Sequence, residues 1–346
     1  MDLRILKDTI RPLFKPYFKI RFKRNLRQEL LSEAKRRANE ESKSEEELIE
    51  YQKALDKILI SYDEYFHQYD FPAITRKEKE KYITRAQVRL FYFDIPKDVK
   101  MNFWDKEKFL RTFSRYVHRD WMRIKDHSFE EMVSFMNQND VICKPLASCC
   151  GEGIYKIHKN SLTKEDLRSK YREFIQNDVL LEQAISNGAG MEEPHPESLN
   201  TIRVVTVRNV KTGTASVFGA FFRMGRGTST IDNAHAGGLF AQINVESGIL
   251  ESDGISVDGD HFSEHPDTGF RIKGFQIPKW EEIKKLCLEA SNVIPQNYIT
   301  GWDVVINQNE EIELIEGNHG PDWDVMQSPL KVGVKQKLIQ ALGKRL

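Results

Sequence analysis

Between Gly301 and Asn318 the segment GWDVVINQNEEIELIEGN carries two apolar arms, the second a short alternating run, and places NQNEE between them. Side chains alternate faces along a strand, so this pattern predicts a β-hairpin with one face turned to a core. The second arm closes with Glu316 and Asn318 on either side of Gly317, which puts the carboxylate and the carboxamide on one face and the glycine on the other. An antiparallel first arm can bring Asp303 alongside them.

Further strands are expected upstream, in VICKPLA, GIYKIHK, VLLEQAI, TIRVVTVRNV, TASVFGAFFRMG and LFAQINV. Helical spacing predicts helices in DKEKFLRTFSRYV, in SFEEMVSFMNQN behind a serine cap, in WEEIKKLCLEASNVI and in the terminal VGVKQKLIQALGKRL. QVRLFYFD reads as a strand. From Ile20 to about Ile60 the chain is charge-rich and free of proline, and it is expected to be mostly helical. Strands with interspersed helices in this order favour an α+β architecture over a helical bundle or a sandwich.

Lys+Arg and Asp+Glu both number 52, so bulk charge does not point to nucleic acid. No stretch approaches the roughly 20 apolar residues of a membrane span, and the N-terminus lacks the apolar region of a secretory signal. The four cysteines, Cys143, Cys149, Cys150 and Cys287, have neither metal-ligand spacing nor a disulfide framework, consistent with reduced thiols in a cytoplasmic protein. The basic start of the first helical region, KPYFKIRFKRNLR, suits weak contact with a membrane surface or a protein partner. A solvated face packed on the main body is the plainer account of it.

Four clusters can carry chemistry. Lys144 precedes a loop of small residues, PLASCCGEG, with Ser148, Gly151 and Gly153, and backbone N–H groups of such a loop can close on phosphate oxygens; a glycine-rich hairpin turn explains the loop equally well. Glu182 and Gln183 end a buried strand, where a carboxylate and neighbouring backbone amides can recognise an adenine edge and ribose hydroxyls; a solvated strand end explains the glutamate as well. Arg203, Arg223 and Arg226 lie on or beside strands near Asn200, Asp232, Asn233 and His235; inward-pointing arginines require anions, either a bound carboxylate or phosphate or an acid of the chain itself. Asp303, Glu316 and Asn318 offer oxygen ligands suited to Mg²⁺, and His319 follows them.

Taken in order, these segments resemble the ATP-grasp superfamily. DKEKF resembles the segment carrying its first nucleotide-binding lysine, here Lys106, and Lys144 with PLASCCGEG resembles its second lysine and phosphate loop. VLLEQAI is similar to its interdomain hinge, and Asp303, Glu316 and Asn318 stand like its magnesium ligands. NTIRVVT, DNAHAGG and GWDVVI with EIELIEGN resemble more narrowly the sugar-transfer associated ATP-grasp group of polysaccharide biosynthesis. The resemblance implies two α+β lobes clasping ATP, behind an N-terminal helical extension. The expected division is a charged helical region at 1–75, a shortened N-terminal lobe at 76–140, a small lobe with phosphate loop and hinge at 141–185, and a large lobe with metal and acceptor sites at 186–346.

It further implies an ADP-forming carboxylate–amine ligase that uses ATP and Mg²⁺. Small-molecule acid and amine substrates, some of them sugar-linked, would then react through an acyl phosphate. Lys106, Lys144, Ser148, Gly151, Gly153, Glu182 and Gln183 would hold the nucleotide, and Arg203 and Arg223 would act in catalysis. Asn200, Arg226, Asp232, Asn233, His235 and His319 would face the acceptor. A kinase acting on a small-molecule or sugar hydroxyl would use the same nucleotide site, and a non-catalytic nucleotide-binding scaffold is the alternative from another class.

Overall fold

The computed structural model describes residues 15–146, 153–227, 237–256 and 259–344. They divide into two compact units, one drawn from Met1–Pro96, Asn209–Thr214 and Gly320–Leu346, the other from Lys97–Arg208 and Ala215–His319.

In the first unit, α1 (Lys15–Glu41), α2 (Glu45–Ile58) and α3 (Arg85–Tyr92) surround an aromatic core. Ser44 opens α2 with a capping box: its side chain accepts from the Glu47 N–H while Glu47 reaches back to the Ser44 N–H. Leu26, Leu30, Ala34 and Ala38 recur every fourth residue along α1, so they form one buried stripe in a cluster with Leu55, Tyr62, Tyr65, Tyr69, Phe71 and Tyr82. Gln327 secures the C-terminal segment in this unit, accepting from the Ile83 N–H and donating to the Ile83 carbonyl and the Tyr69 hydroxyl.

QVRLFYFD, expected as a strand, forms most of α3. Thr84 caps it by accepting from the Gln87 N–H, and Ala86, Val88, Phe91 and Tyr92 are all buried. Burial on more than one side of a short helix produces a locally alternating apolar pattern, and the cap decides for the helix.

The second unit begins with α4 (Lys97–Trp104) and α5 (Lys106–Thr112) and holds two sheets. The smaller comprises β1 (Trp121–Arg123), β2 (Val141–Pro145), β3 (Tyr155–Ile157) and β4 (Val179–Gln183) in the order β1-β4-β2-β3. One of its faces packs on α6 (Phe129–Gln138) and α7 (Lys164–Asn177), which start at capping boxes on Ser128 and Thr163. The larger comprises β5 (Thr201–Arg208), β6 (Ala215–Met224), β7 (Leu239–Ile243), β8 (Gly254–Ile255), β9 (His261–Phe262), β10 (Ile299–Ile306) and β11 (Ile312–Asn318), ordered β11-β10-β5-β6-β7-β8-β9 with every neighbour antiparallel.

Trp302, Val304 and Ile306 of β10 join Ile202, Val204, Phe222 and Leu314 in the core, with Ile283, Cys287 and Ala290 of α8 (Trp280–Ser291). The rings of Phe103 and Phe113 close on Trp302 at 6.1 and 5.2 Å. Strand alternation therefore sends the residues between them, Asp303 on β10 and Arg203 on β5, to the opposite face. Cys143 and Cys287 are free and buried; Cys149 and Cys150 lie outside the described residues. No helix among the described residues is long and apolar enough to cross a membrane.

Candidate functional site

Three cross-strand pairs build the site. Glu316 on β11 stands opposite Asp303 on β10, Asp303 opposite Arg203 on β5, and Thr201 on β5 opposite Arg223 on β6. Paired residues share a face, so an acid, a second acid and two arginines line up across four strands. Asn318 joins them: its Nδ2 donates to Glu316 Oε1 at 3.1 Å. Gly317 points the other way, where a Cβ would meet Phe109 Cε2 at 2.8 Å and Trp302 Cζ3 at 3.1 Å.

Asp303 is 1% exposed and is held by both arginines. Arg203 Nε donates to its Oδ1, and Arg203 Nη2 and Arg223 Nη2 donate to Oδ2 at 2.8 and 2.9 Å. Burial alone would raise the Asp303 pKa, but the two guanidinium groups outweigh it and hold the carboxyl below its ordinary range. Glu316, beside it, keeps 55% of its side chain exposed. The anion that sequence reasoning required for Arg203 and Arg223 is thus an acid of the chain.

On the small sheet, β4 turns Leu181 towards the helices and Glu182 towards the opposite side, where Lys144 of β2 reaches Glu182 Oε1 at 2.7 Å. Lys106, at the start of α5, donates to the Pro145 carbonyl at 3.1 Å, one residue beyond Lys144. Lys106 thus meets the strand end that leads into 147–152, while the Lys144 ammonium is directed to Glu182, which lies opposite Ile142. Gln183 Oε1 accepts from the Asp120 N–H at 3.2 Å. The Glu182 pKa is held to about 2: burial pushes it up, and Arg119 and Lys144 more than compensate.

Arg119 and Glu313 were not singled out from the sequence. Arg119, 5% exposed, donates to Glu182 Oε2 at 2.6 Å and to Glu313 Oε2 at 3.0 Å, while Asn307 Nδ2 reaches Glu313 Oε1 at 3.2 Å. With Lys144 these form a charge-balanced buried cluster of two acids and two bases. The available signal was the spacing Glu313-x-x-Glu316, an odd interval between two acids on one strand.

Asn200 lies beneath the site, fully buried: its Nδ2 donates to the Met191 and His195 carbonyls and its Oδ1 accepts from Ser198 Oγ and the Gly225 N–H. That fills its side-chain hydrogen-bonding capacity and shapes the Gly225-Arg226-Gly227 turn. The carbonyls of Gly225 and Gly227 accept from His265 Nε2 at 2.7 Å and His195 Nε2 at 2.9 Å, fixing the backbone on both sides of Arg226. The Arg226 guanidinium sits 5.7 Å from the Phe262 ring centre and makes no ion pair among the described residues. His319 meets Trp104 edge-on at 4.9 Å, and burial, then Lys100, lower its pKa to about 4. Gly153 takes a positive φ of 71°. Ser148, Gly151, Asp232, Asn233 and His235 lie outside the described residues.

Asp303, Glu316 and Asn318 supply oxygen donors only, and no group of three or more His, Cys, Asp or Glu suited to a metal exists among the described residues. Two acids and an amide fit a hard divalent cation that takes its remaining ligands from water and phosphate. The adjoining arginines already balance both acids, so a cation is favoured most when it arrives with a polyanion.

A family model described as sugar-transfer associated ATP-grasp matches residues 64–343. Among solved structures, similarity extends to the ATP-grasp ligase PsnB complexed with minimal precursor, Mg and ADP, at 13% identity and a TM-score of 0.41, over 70% of this chain and 60% of that one. N5-carboxyaminoimidazole synthetase from Staphylococcus aureus complexed with ADP shares 9% identity at a TM-score of 0.39, over 66% of this chain and 51% of that one. A biotin carboxylase-beta-gamma-ATP complex from Campylobacter jejuni shares 13% at 0.43, over 71% and 47%. The chain spans 60% to 66% of the length of the PsnB structures. No curated protein matches.

Proposed function

The chain belongs to the sugar-transfer associated ATP-grasp family, and from that premise we propose that it is an ADP-forming carboxylate–amine ligase acting in surface polysaccharide or sugar-conjugate biosynthesis. The observation that carries this reading is the row of Glu316, Asp303 and Arg203 across adjacent strands, with Asn318 and Arg223 joined to it. It sets hard oxygen donors beside cations on one sheet face, in the unit that also contains Lys106 and Lys144. In this reading 141–185 is the small lobe and 186–346 the large lobe, following 76–140, and the protein works in the cytoplasm.

In the proposed reaction a carboxylate oxygen of the acid attacks the γ-phosphorus of ATP, the bond to the β–γ bridging oxygen breaks, and ADP leaves. The amine nitrogen then attacks the acyl carbon, phosphate departs, and the nitrogen loses a proton. Lys106 and Lys144 orient and neutralise the phosphates, and Glu182 with Gln183 borders the adenosine. Asp303, Glu316 and Asn318 would hold Mg²⁺, which when bound neutralises charge on the β and γ oxygens. Arg223, at 14% side-chain exposure against 4% for Arg203, is the more accessible donor for the developing oxyanion. Arg226, its backbone fixed and its charge unmatched among the described residues, suits the acceptor carboxylate.

The test is ADP and phosphate release with ATP and Mg²⁺ over paired sugar acids, amino acids and amino sugars, followed by mass spectrometry of the product. The ligase reading expects release that requires both an acid and an amine, with an amide formed. A phosphorylated alcohol produced without an amine would establish the kinase instead, and nucleotide binding without turnover across the panel would leave a scaffold.

A further inference from the structure

β11 is not a regular strand. Asp303 pairs with Glu316 but Val304 pairs with Leu314, so Ile315 has no partner on β10 and the ladder carries a bulge. The bulge changes parity. On a regular strand Glu313 and Glu316, three residues apart, would face opposite sides; here Glu313 opposes Val305 and Glu316 opposes Asp303, two residues apart on β10, and both acids share a face.

A bulge leaves backbone groups outside the ladder, and buried carbonyls need donors. Arg119 supplies them. Its Nη1 donates to the Leu314 carbonyl at 2.7 Å and its Nη2 to the Ile315 carbonyl at 3.0 Å, immediately before Glu316. The Glu313 carboxylate secures the same guanidinium and also accepts from the backbone N–H groups of His118 and Arg119, at 3.1 and 3.3 Å. Nε is spent on Glu182. Four of the five guanidinium N–H groups are thus engaged on two strands from different sheets, which a lysine's single ammonium could not reproduce.

We propose that Arg119 is a positioning residue: by holding the Leu314–Ile315 bulge it aims Glu316 at Asp303, and by gripping Glu182 it ties the metal-bearing end of β11 to the nucleotide-bearing end of β4. This rests on the MgATP reading of the site. The role is reached through other groups, since Arg119 is buried beneath them.

The test compares wild type with Arg119→Lys and, as a milder second variant that keeps the guanidinium, Glu313→Gln. Mn²⁺ affinity is measured by electron paramagnetic resonance in the presence of a non-hydrolysable ATP analogue, and backbone hydrogen exchange is followed for the peptide containing 312–318. Groups that orient a metal ligand typically control affinity by about 10–100-fold. The expected result is a fall of that order in Arg119→Lys, a smaller fall in Glu313→Gln, and faster exchange around Ile315 in both. Variants whose melting temperature drops while Mn²⁺ affinity stays at the wild-type value would overturn the positioning role and leave the site reading intact. Wild type that binds no Mn²⁺ with the analogue would overturn the site reading and the proposal with it.

Discussion

Replacing Gly317 with alanine sets two effects of opposite sign against each other. Gly317 does not use the left-handed region of backbone space. Alanine should therefore adopt its conformation freely and stabilise by about 0.4–1 kcal/mol through the unfolded chain. Against this, the added Cβ would lie 2.8 Å from Phe109 Cε2, 3.1 Å from Trp302 Cζ3 and 3.2 Å from Phe103 Cδ1. Three rings already packed together would each have to give, and overpacking of this kind costs about 1–3 kcal/mol. Packing wins. The net destabilisation should be about 1–2 kcal/mol, or a fall of roughly 2–8 °C in Tm for a domain of about 200 residues. Calorimetry and urea unfolding measure it, and Phe109→Leu placed in the Gly317→Ala background should recover part of the loss through a coupling of about 0.5 kcal/mol or more. Gly317→Ala as stable as wild type would refute the placement of Gly317 against the core, and with it the argument that Glu316 and Asn318 share the other face.

Glu182→Gln should cost about 3–5 kcal/mol at pH 7, because it strips the carboxylate from buried Arg119 and Lys144. The Glu182 pKa is depressed in the folded state, so its contribution is complete above about 4.5 and is lost as pH falls towards about 2. The urea midpoints of wild type and variant should accordingly converge over that window; a gap undiminished between pH 4.5 and pH 2 would argue against the ion cluster. At the start of α1, Tyr17, Phe18 and Ile20 are 58%, 44% and 70% exposed among Lys19, Arg21, Lys23 and Arg24. Vesicle flotation separates the two accounts of this stretch: binding to phosphatidylglycerol-containing bilayers, absent with phosphatidylcholine alone and weakened by Ile20→Glu, would establish the membrane contact, and equal flotation with both lipids, or none, would leave the solvated face.

Much of the fold was legible because period-two alternation survives wherever one sheet face is buried and the other is not. β11 was readable for that reason, and Gly317 announced the shared face of its neighbours; β10, buried on both faces, was readable instead as an apolar run that stops at NQNEE. α3 was not, because short helices buried on several sides lose their own period. Arg203 and Arg223 were legible as inward charges, but their common partner depended on register: only the pairing of β10 with β5 puts Arg203 opposite Asp303. The Arg119 cluster was the least legible. Its geometry follows from a bulge, which is set by tertiary contacts and which reverses the parity that a strand reading assumes.

In the function proposed above, Asp303, Glu316 and Asn318 form a hard-cation site whose charge is completed by nucleotide phosphates. Mn²⁺ binding with and without a non-hydrolysable ATP analogue, in wild type and in Glu316→Gln, tests it most directly. Since Arg203 and Arg223 already balance the two acids, wild type should bind Mn²⁺ tightly only when the nucleotide is present, and Glu316→Gln should weaken that binding by about tenfold or more. Equal Mn²⁺ affinity in the two proteins, or tight binding to wild type without nucleotide, would rule out this cation site.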